Sequence, residues 1–278
     1  MTTPNRQPPI GIFDSGIGGL SVAAAMAELL PEESFLYVAD NAYAPYGPRS
    51  EAEILLRSRK ITQYLLGAGA KMIVVACNTA TSIAIDALRA EHPEIPFVGM
   101  EPAVKPAASA RGVGVLATAA TLKSERYLAL RDKHLRRKPV FEDACVGLVP
   151  LIETEPSGSP RLKAKLRQIL EPMLEGGVDT LVLGCTHYPM VKDDIAEVCG
   201  VGVNIIDPSP AAARQVRRLL GQRGLLAETS PGPDSVADGP AHTFISSGSS
   251  APLQRVLLTL KGLNGKRKLV VPQARWLA

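Results

Sequence analysis

The chain has 278 residues, 46% hydrophobic and 21% charged, with a formal net charge of +4. That length can bury two cores of ordinary domain size, and the composition excludes a disordered chain. The mild charge argues against a nucleic-acid-binding face, because the short basic clusters at 131–138 and 265–268 carry no interleaved aromatics.

The first nine residues, Met1-Thr-Thr-Pro-Asn-Arg-Gln-Pro-Pro9, contain no apolar signal segment. No run along the chain approaches the roughly 18 apolar residues that cross a bilayer, so the expected location is the cytoplasm, away from membranes. From there, short Val/Ile/Leu-rich runs alternate with helical patterns. Strands are predicted near 9–13, 35–39, 72–76, 96–99, 112–116, 139–146, 180–184, 203–206 and 243–246. Helices are predicted near 18–30, 50–67, 79–91, 121–133, 160–175, 189–198, 209–222 and 250–260. The Pro-, Gly-, Asp- and Ser-rich stretch 227–240 is expected to be a surface loop. Strands apolar on both faces, alternating with helices, indicate mostly parallel α/β sheets flanked on both sides. Ligands bind such sheets at the carboxyl ends of the strands.

Two of the strands repeat. Lys71-Met-Ile-Val-Val-Ala-Cys77 and Asp179-Thr-Leu-Val-Leu-Gly-Cys185 end in cysteines 108 residues apart. Ile10-Gly-Ile-Phe-Asp14 and Val113-Gly-Val-Leu-Ala117 match at an offset of 103, setting Ser15 against Thr118. We read this as a duplicated α/β unit forming two pseudo-symmetric three-layer domains with the active site between them. One domain is residues 1–98 plus 208–278, whose last segment packs back, and the other is 99–207.

Cys77 is followed by Asn78 and Thr79, and Cys185 by Thr186 and His187. In a reducing compartment all four cysteines are expected as free thiols, with Cys145 and Cys199 as packing residues. A helix N-terminus or nearby cation lowers a thiol pKa, making Cys77 and Cys185 candidate bases or nucleophiles. Nucleophilic catalysis has no obvious use for a second, symmetry-related thiol. Moving a proton from one face of a carbon to the other does need two opposed groups. Ser15, Asn78, Thr79, Thr118 and Thr186 would then hold a carboxylate and stabilise developing charge.

Asp14-Ser-Gly-Ile-Gly-Gly19 lacks both dinucleotide glycine spacing and a Walker lysine. Its glycines suit a tight turn presenting Asp14 and Ser15. Three alternatives stay open: zinc held by Cys77, Cys185 and His187, a thiol oxidoreductase, and a two-domain binding module without chemistry. The strand ends offer no lysine for a Schiff base, although Lys71, Lys105 or Lys192 could reach a site from elsewhere. The Cys-x-His spacing, with no Cys-x-x-Cys beside it, is not a common structural zinc pattern, so no metal is expected.

Five segments in order carry a resemblance. They are Gly11-Ile-Phe-Asp-Ser-Gly-Ile-Gly-Gly-Leu-Ser21, Tyr43-Ala-Pro-Tyr-Gly47, Val75-Ala-Cys-Asn-Thr-Ala80, Gly114-Val-Leu-Ala-Thr118 with Thr121, and Leu183-Gly-Cys-Thr-His-Tyr-Pro189. With them the chain resembles the glutamate racemases, cofactor-independent members of the aspartate/glutamate racemase superfamily, over residues 9–222. The resemblance implies an isomerase that interconverts L- and D-glutamate by a two-base mechanism. It further implies D-glutamate supply for peptidoglycan, hence for cell-wall biogenesis and cell shape, and a homodimer. Carried over residue by residue, Cys77 and Cys185 are the acid/bases, and Asp14 on one side and Glu153 or His187 on the other tune them. Asp14, Ser15, Tyr46, Gly47, Asn78, Thr79, Thr118, Thr121, Thr186 and His187 bind substrate. Aspartate, one methylene shorter, remains the nearest rival substrate.

Overall fold

The computed structural model describes residues 7–228, 241–260, 263 and 268–271. The loop expected at 227–240 falls, from 229 on, outside the described residues.

Two parallel sheets organise the chain. The first runs β1 (Ile10–Asp14), α1 (Leu20–Leu29), β2 (Phe35–Ala39), α2 (Glu51–Gly67), β3 (Met72–Val75), α3 (Asn78–Glu91) and β4 (Phe97–Gly99). The second follows with β5 (Val113–Ala117), α4 (Ala119–Lys123), α5 (Glu125–Leu135), β6 (Val140–Asp143), α6 (Leu148–Thr154), α7 (Pro160–Glu175), β7 (Thr180–Gly184), α8 (Lys192–Cys199) and β8 (Asn204–Ile206). The chain then returns through α9 (Ser209–Gln222), β9 (His242–Ser246), α10 (Ala251–Thr259) and β10 (Lys268–Val271), which extend the first sheet.

The strand orders are β10-β9-β2-β1-β3-β4 and β6-β5-β7-β8. Without the added edge of β9 and β10, both read second, first, third, fourth, so the sequence repeat is a repeat of topology. All the described strand pairs are parallel. In each unit the strand order reverses beside the first strand, where ligand crevices form. Register completes the equivalence. Phe13 pairs with Val75, and Ala117 with Gly184, so Ser15 and Cys77 leave one sheet side by side as Thr118 and Cys185 leave the other.

Alternation along the strands explains the layers. Ile10 and Ile12 point to the face covered by α1 and α9 with Ala212, Val216 and Leu220. Phe13, Ile73 and Val75 point to the opposite face, under Ile54, Ile61 and Leu65 of α2 and Ala84 and Leu88 of α3. The second sheet buries Leu116, Leu181 and Leu183 against α7, and Val113, Val115 and Val182 against Tyr127 and Leu135 of α5.

Boundaries differ from expectation where side chains redirect the main chain. The strand expected to reach residue 146 stops at Asp143, because Asp143 Oδ1 accepts the Cys145 amide at 2.6 Å and Cys145 turns left-handed at φ 50°. Gly147, at φ 83°, then starts α6, a helix the sequence reading lacked. The single helix expected at 121–133 is two, since Ser124 is extended (ψ 138°) and caps α5 by accepting the Tyr127 amide at 3.2 Å. The helix expected from 189 begins as a 3-10 turn, Tyr188–Val191, before α8. A second 3-10 turn, Pro106–Ser109, and strand β10 were also not anticipated.

Candidate active site

The β1–α1 loop shapes one wall. Asp14 is fully buried, and its Oδ2 accepts the amides of Gly16 and Gly19 at 3.1 and 3.0 Å. Gly19 must be glycine here, because a Cβ would stand 2.7 Å from Asp14 Cβ. Asp14 Oδ1 faces Thr186 Oγ1, from the other sheet, at 3.5 Å. Burial raises the Asp14 pKa above the ordinary carboxylate value, against the opposing charge of His187 and the two amides.

Cys77 occupies the N-cap of α3 in extended conformation. Its sulfur accepts the Ala80 amide at 3.4 Å, and its thiol donates to Ser15 Oγ at 3.8 Å. The helix start was expected to depress this thiol's pKa. The opposite holds: burial first, then the Asp14 carboxylate, push it well above its ordinary value, and the amide and hydroxyl contacts only offset part of that. Cys77 is therefore held as a neutral thiol.

Cys185 follows β7, buried, with His187 Nδ1 3.9 Å from its sulfur. His187 Nε2 lies 2.9 Å from Glu153 Oε1 on the unforeseen helix α6. Burial alone would lower the His187 pKa, but Cys185, Glu153 and Asp14 outweigh it and raise it to about 10. His187 is thus an imidazolium near neutral pH. The two symmetry-related sulfurs sit in opposite fields: a carboxylate beside Cys77, a cation beside Cys185.

A row of hydroxyls links the ends of the two sheets. Thr79 Oγ1 and Thr118 Oγ1 are 2.9 Å apart, and Thr118 and Thr121 hydroxyls 3.0 Å. Both amide atoms of Asn78 are buried with no hydrogen-bond partner among the described residues. An orphaned buried amide is costly, so it marks a place where a polar ligand belongs. Gly47 faces Thr118, for a Cβ there would meet Thr118 Cβ at 3.7 Å. Tyr46 is nearly fully buried, and its hydroxyl donates to Asp40 Oδ2 at 2.6 Å.

The structure thus gathers Asp14, Ser15, Cys77, Cys185, Thr186, His187 and Glu153 around one centre, with Asn78, Thr79, Thr118, Thr121 and Gly47 alongside. Residues that sequence reading missed tie the walls together. A Cβ on Gly18 would lie 2.7 Å from Thr186 Oγ1, and Ser21 Oγ donates to the Thr186 carbonyl at 3.1 Å. The glycine run was the available signal for such an approach. All four cysteines are free, and Cys145 and Cys199 pack in or against the α7 core. Among the described residues no three His, Cys, Asp or Glu side chains are grouped as metal ligands. No described helix is long and apolar enough to cross a membrane.

Comparison with known proteins agrees with this geometry. The Asp/Glu/Hydantoin racemase family model matches residues 18–216. The chain is 47% identical to the glutamate racemase of Pseudomonas paraeruginosa over 91% of this chain and 94% of that one. Among solved structures it is similar to the Thermus thermophilus glutamate racemase in complex with beta-chloro-D-alanine, at 34% identity, 98% and 99% coverage and TM-score 0.79. It is also similar to the Escherichia coli glutamate racemase in complex with L-glutamate and the activator UDP-MurNAc-ala, at 32% identity, 96% and 98% coverage and TM-score 0.80. Two repeated sheets, each ending in a buried cysteine, and a match over most of the length together mean that the chain belongs to the Asp/Glu/Hydantoin racemase family.

Proposed function

We propose that this protein interconverts L- and D-glutamate without a cofactor, Cys77 and Cys185 exchanging protons with Cα from opposite faces. The observation that carries the reading is the equivalence of the two buried sulfurs at the ends of β3 and β7 in a repeated topology. In one direction the Cys185 sulfur takes the Cα proton and the neutral Cys77 thiol donates one to the other face. In the reverse direction the roles exchange. Asp14 and Ser15 orient Cys77, and His187 with Glu153 orients Cys185. The Asn78 amide and the hydroxyls of Thr79, Thr118, Thr121 and Thr186 receive the α-carboxylate and the charge that spreads onto it as Cα–H breaks. The main chain at Tyr46 and Gly47 meets the rest of the substrate.

Glutamate is preferred over aspartate because the relatives at about half identity act, by name, on glutamate. The D-glutamate formed supplies peptidoglycan, and with it cell-wall biogenesis and cell shape, from the cytoplasm. The same reading divides the chain into domains 1–98 plus 208–278 and 99–207, supported by α9 packing on α1 beside the first sheet, and takes the working unit as a homodimer. Incubation with L-glutamate or L-aspartate in deuterated water tests it. Deuterium at Cα of the D-product from glutamate is expected, and no exchange with either acid would sink the reading.

A further inference from the structure

A buried network outside the reacting groups fixes the segment after β2. Asp40, fully buried, accepts Arg57 Nε at 3.0 Å, Arg57 Nη2 at 2.8 Å and the Tyr46 hydroxyl at 2.6 Å. Arg57 reaches in from α2 and is only 2% exposed, and its guanidinium lies 3.8 Å over the Tyr43 ring. Arg49 holds the Tyr43 carbonyl from the other side, and its own amide donates to the Tyr46 carbonyl at 3.0 Å. Residues 40–49 are therefore clamped at both ends and in the middle.

The opposite side of this strap faces the site. A Cβ on Gly16 would meet Asn41 Oδ1 at 3.3 Å and Ala44 Cβ at 3.7 Å, and Gly47 abuts Thr118. Burying a complete ion pair costs desolvation, and a well-packed apolar replacement is often as stable, so fold stability does not account for the pair by itself. A fork that locks an arginine bidentately onto one carboxylate does fix geometry.

We propose that Asp40 and Arg57 are positioning residues for substrate binding. They hold the Tyr43–Gly47 strap so that its main chain meets the substrate at a set distance from Thr118. This rests on the racemase reading. The strap supplies no proton-transfer group, so loosening it weakens ground-state and transition-state binding together. That raises KM more than it lowers kcat.

The test measures glutamate racemisation by the parent, Tyr46→Phe, Arg57→Lys and a control, Glu33→Gln. Glu33 also forms a buried ion pair, with Lys71, but at the amino ends of β2 and β3, away from the site. Tyr46→Phe is expected to raise KM about 3- to 10-fold with kcat within about twofold, and Arg57→Lys to raise it further. Glu33→Gln is expected to lower the melting temperature and leave KM unchanged. Parental KM in folded Tyr46→Phe and Arg57→Lys overturns the proposal, and Tyr46→Phe decides alone if Arg57→Lys does not fold. An equal KM rise in Glu33→Gln overturns it too, since the effect would then follow stability. A parent that exchanges no Cα proton instead overturns the racemase reading, and the strap proposal with it.

Discussion

Asp14 and His187 make two equivalent cysteines chemically unequal. Cys77 is kept protonated by burial and the Asp14 carboxylate, while Cys185 faces an imidazolium anchored by Glu153. An alcohol is a far weaker acid than a thiol, so Cys77→Ser and Cys185→Ser should each lower turnover at least ~10²-fold, measured by chiral assay of both enantiomers. Parental rates in either variant would remove that sulfur from the mechanism. His187 also carries a stability signature. Its pKa is about 10 in the fold against 6.5 for the free side chain, so its contribution is complete below about pH 6.5 and lost as pH rises towards 10. Melting temperature followed from about pH 6 to about pH 10 should fall over that window, and His187→Gln should flatten the fall. The sequence made these residue types and spacings legible. It did not reveal that burial would win at Cys77, because a helix N-terminus is local whereas the Asp14 charge and the missing water come from packing.

At the scale of elements, loops from different sheets are interlocked by glycine. Gly18 lies where any Cβ would strike Thr186, which β7 delivers from the second sheet. Gly18→Ala should displace the Thr186–His187 turn, and a shift of about 1 Å there should cost roughly 10- to 100-fold in kcat/KM. A circular dichroism spectrum like the parent's would locate the defect at the site, and unchanged kinetics would refute the interlock. Helix α7 supplies a contrast remote from chemistry. Ser159 caps it by accepting the Leu162 amide at 3.2 Å, so Ser159→Ala should cost about 1 kcal/mol in urea melts and leave kinetics untouched. Long, periodic elements such as α2 and α7 and the apolar strands β1, β3, β5 and β7 were legible in advance. The short helix α6 was not, because it starts only where Cys145 and Gly147 reverse the chain, and the boundary at Ser124 depends on one side-chain cap.

Across the whole molecule, the two sheets are joined by chain crossings and by ion pairs at their rim. Arg126 of α5 reaches Asp86 of α3, at 2.8 Å, and Glu101 of the crossing. Asp86 is 75% exposed, so Asp86→Asn should change unfolding free energy by no more than ~1 kcal/mol. A larger loss in denaturant titration would mean that the rim, and not the buried faces, holds the sheets together. The sequence by itself determined the α/β alternation, the repeat and the paired cysteines. These follow from hydrophobic periodicity and residue identity, which are local and survive without coordinates. Tertiary structure alone decided that β9 and β10 extend the first sheet, that Glu153 meets His187, that the Asn78 side-chain amide is buried without a hydrogen-bond partner among the described residues, and that Asp40 and Arg57 clamp the Tyr43–Gly47 strap. Each of these joins residues far apart in the chain, or depends on exclusion from water, and both are properties of packing.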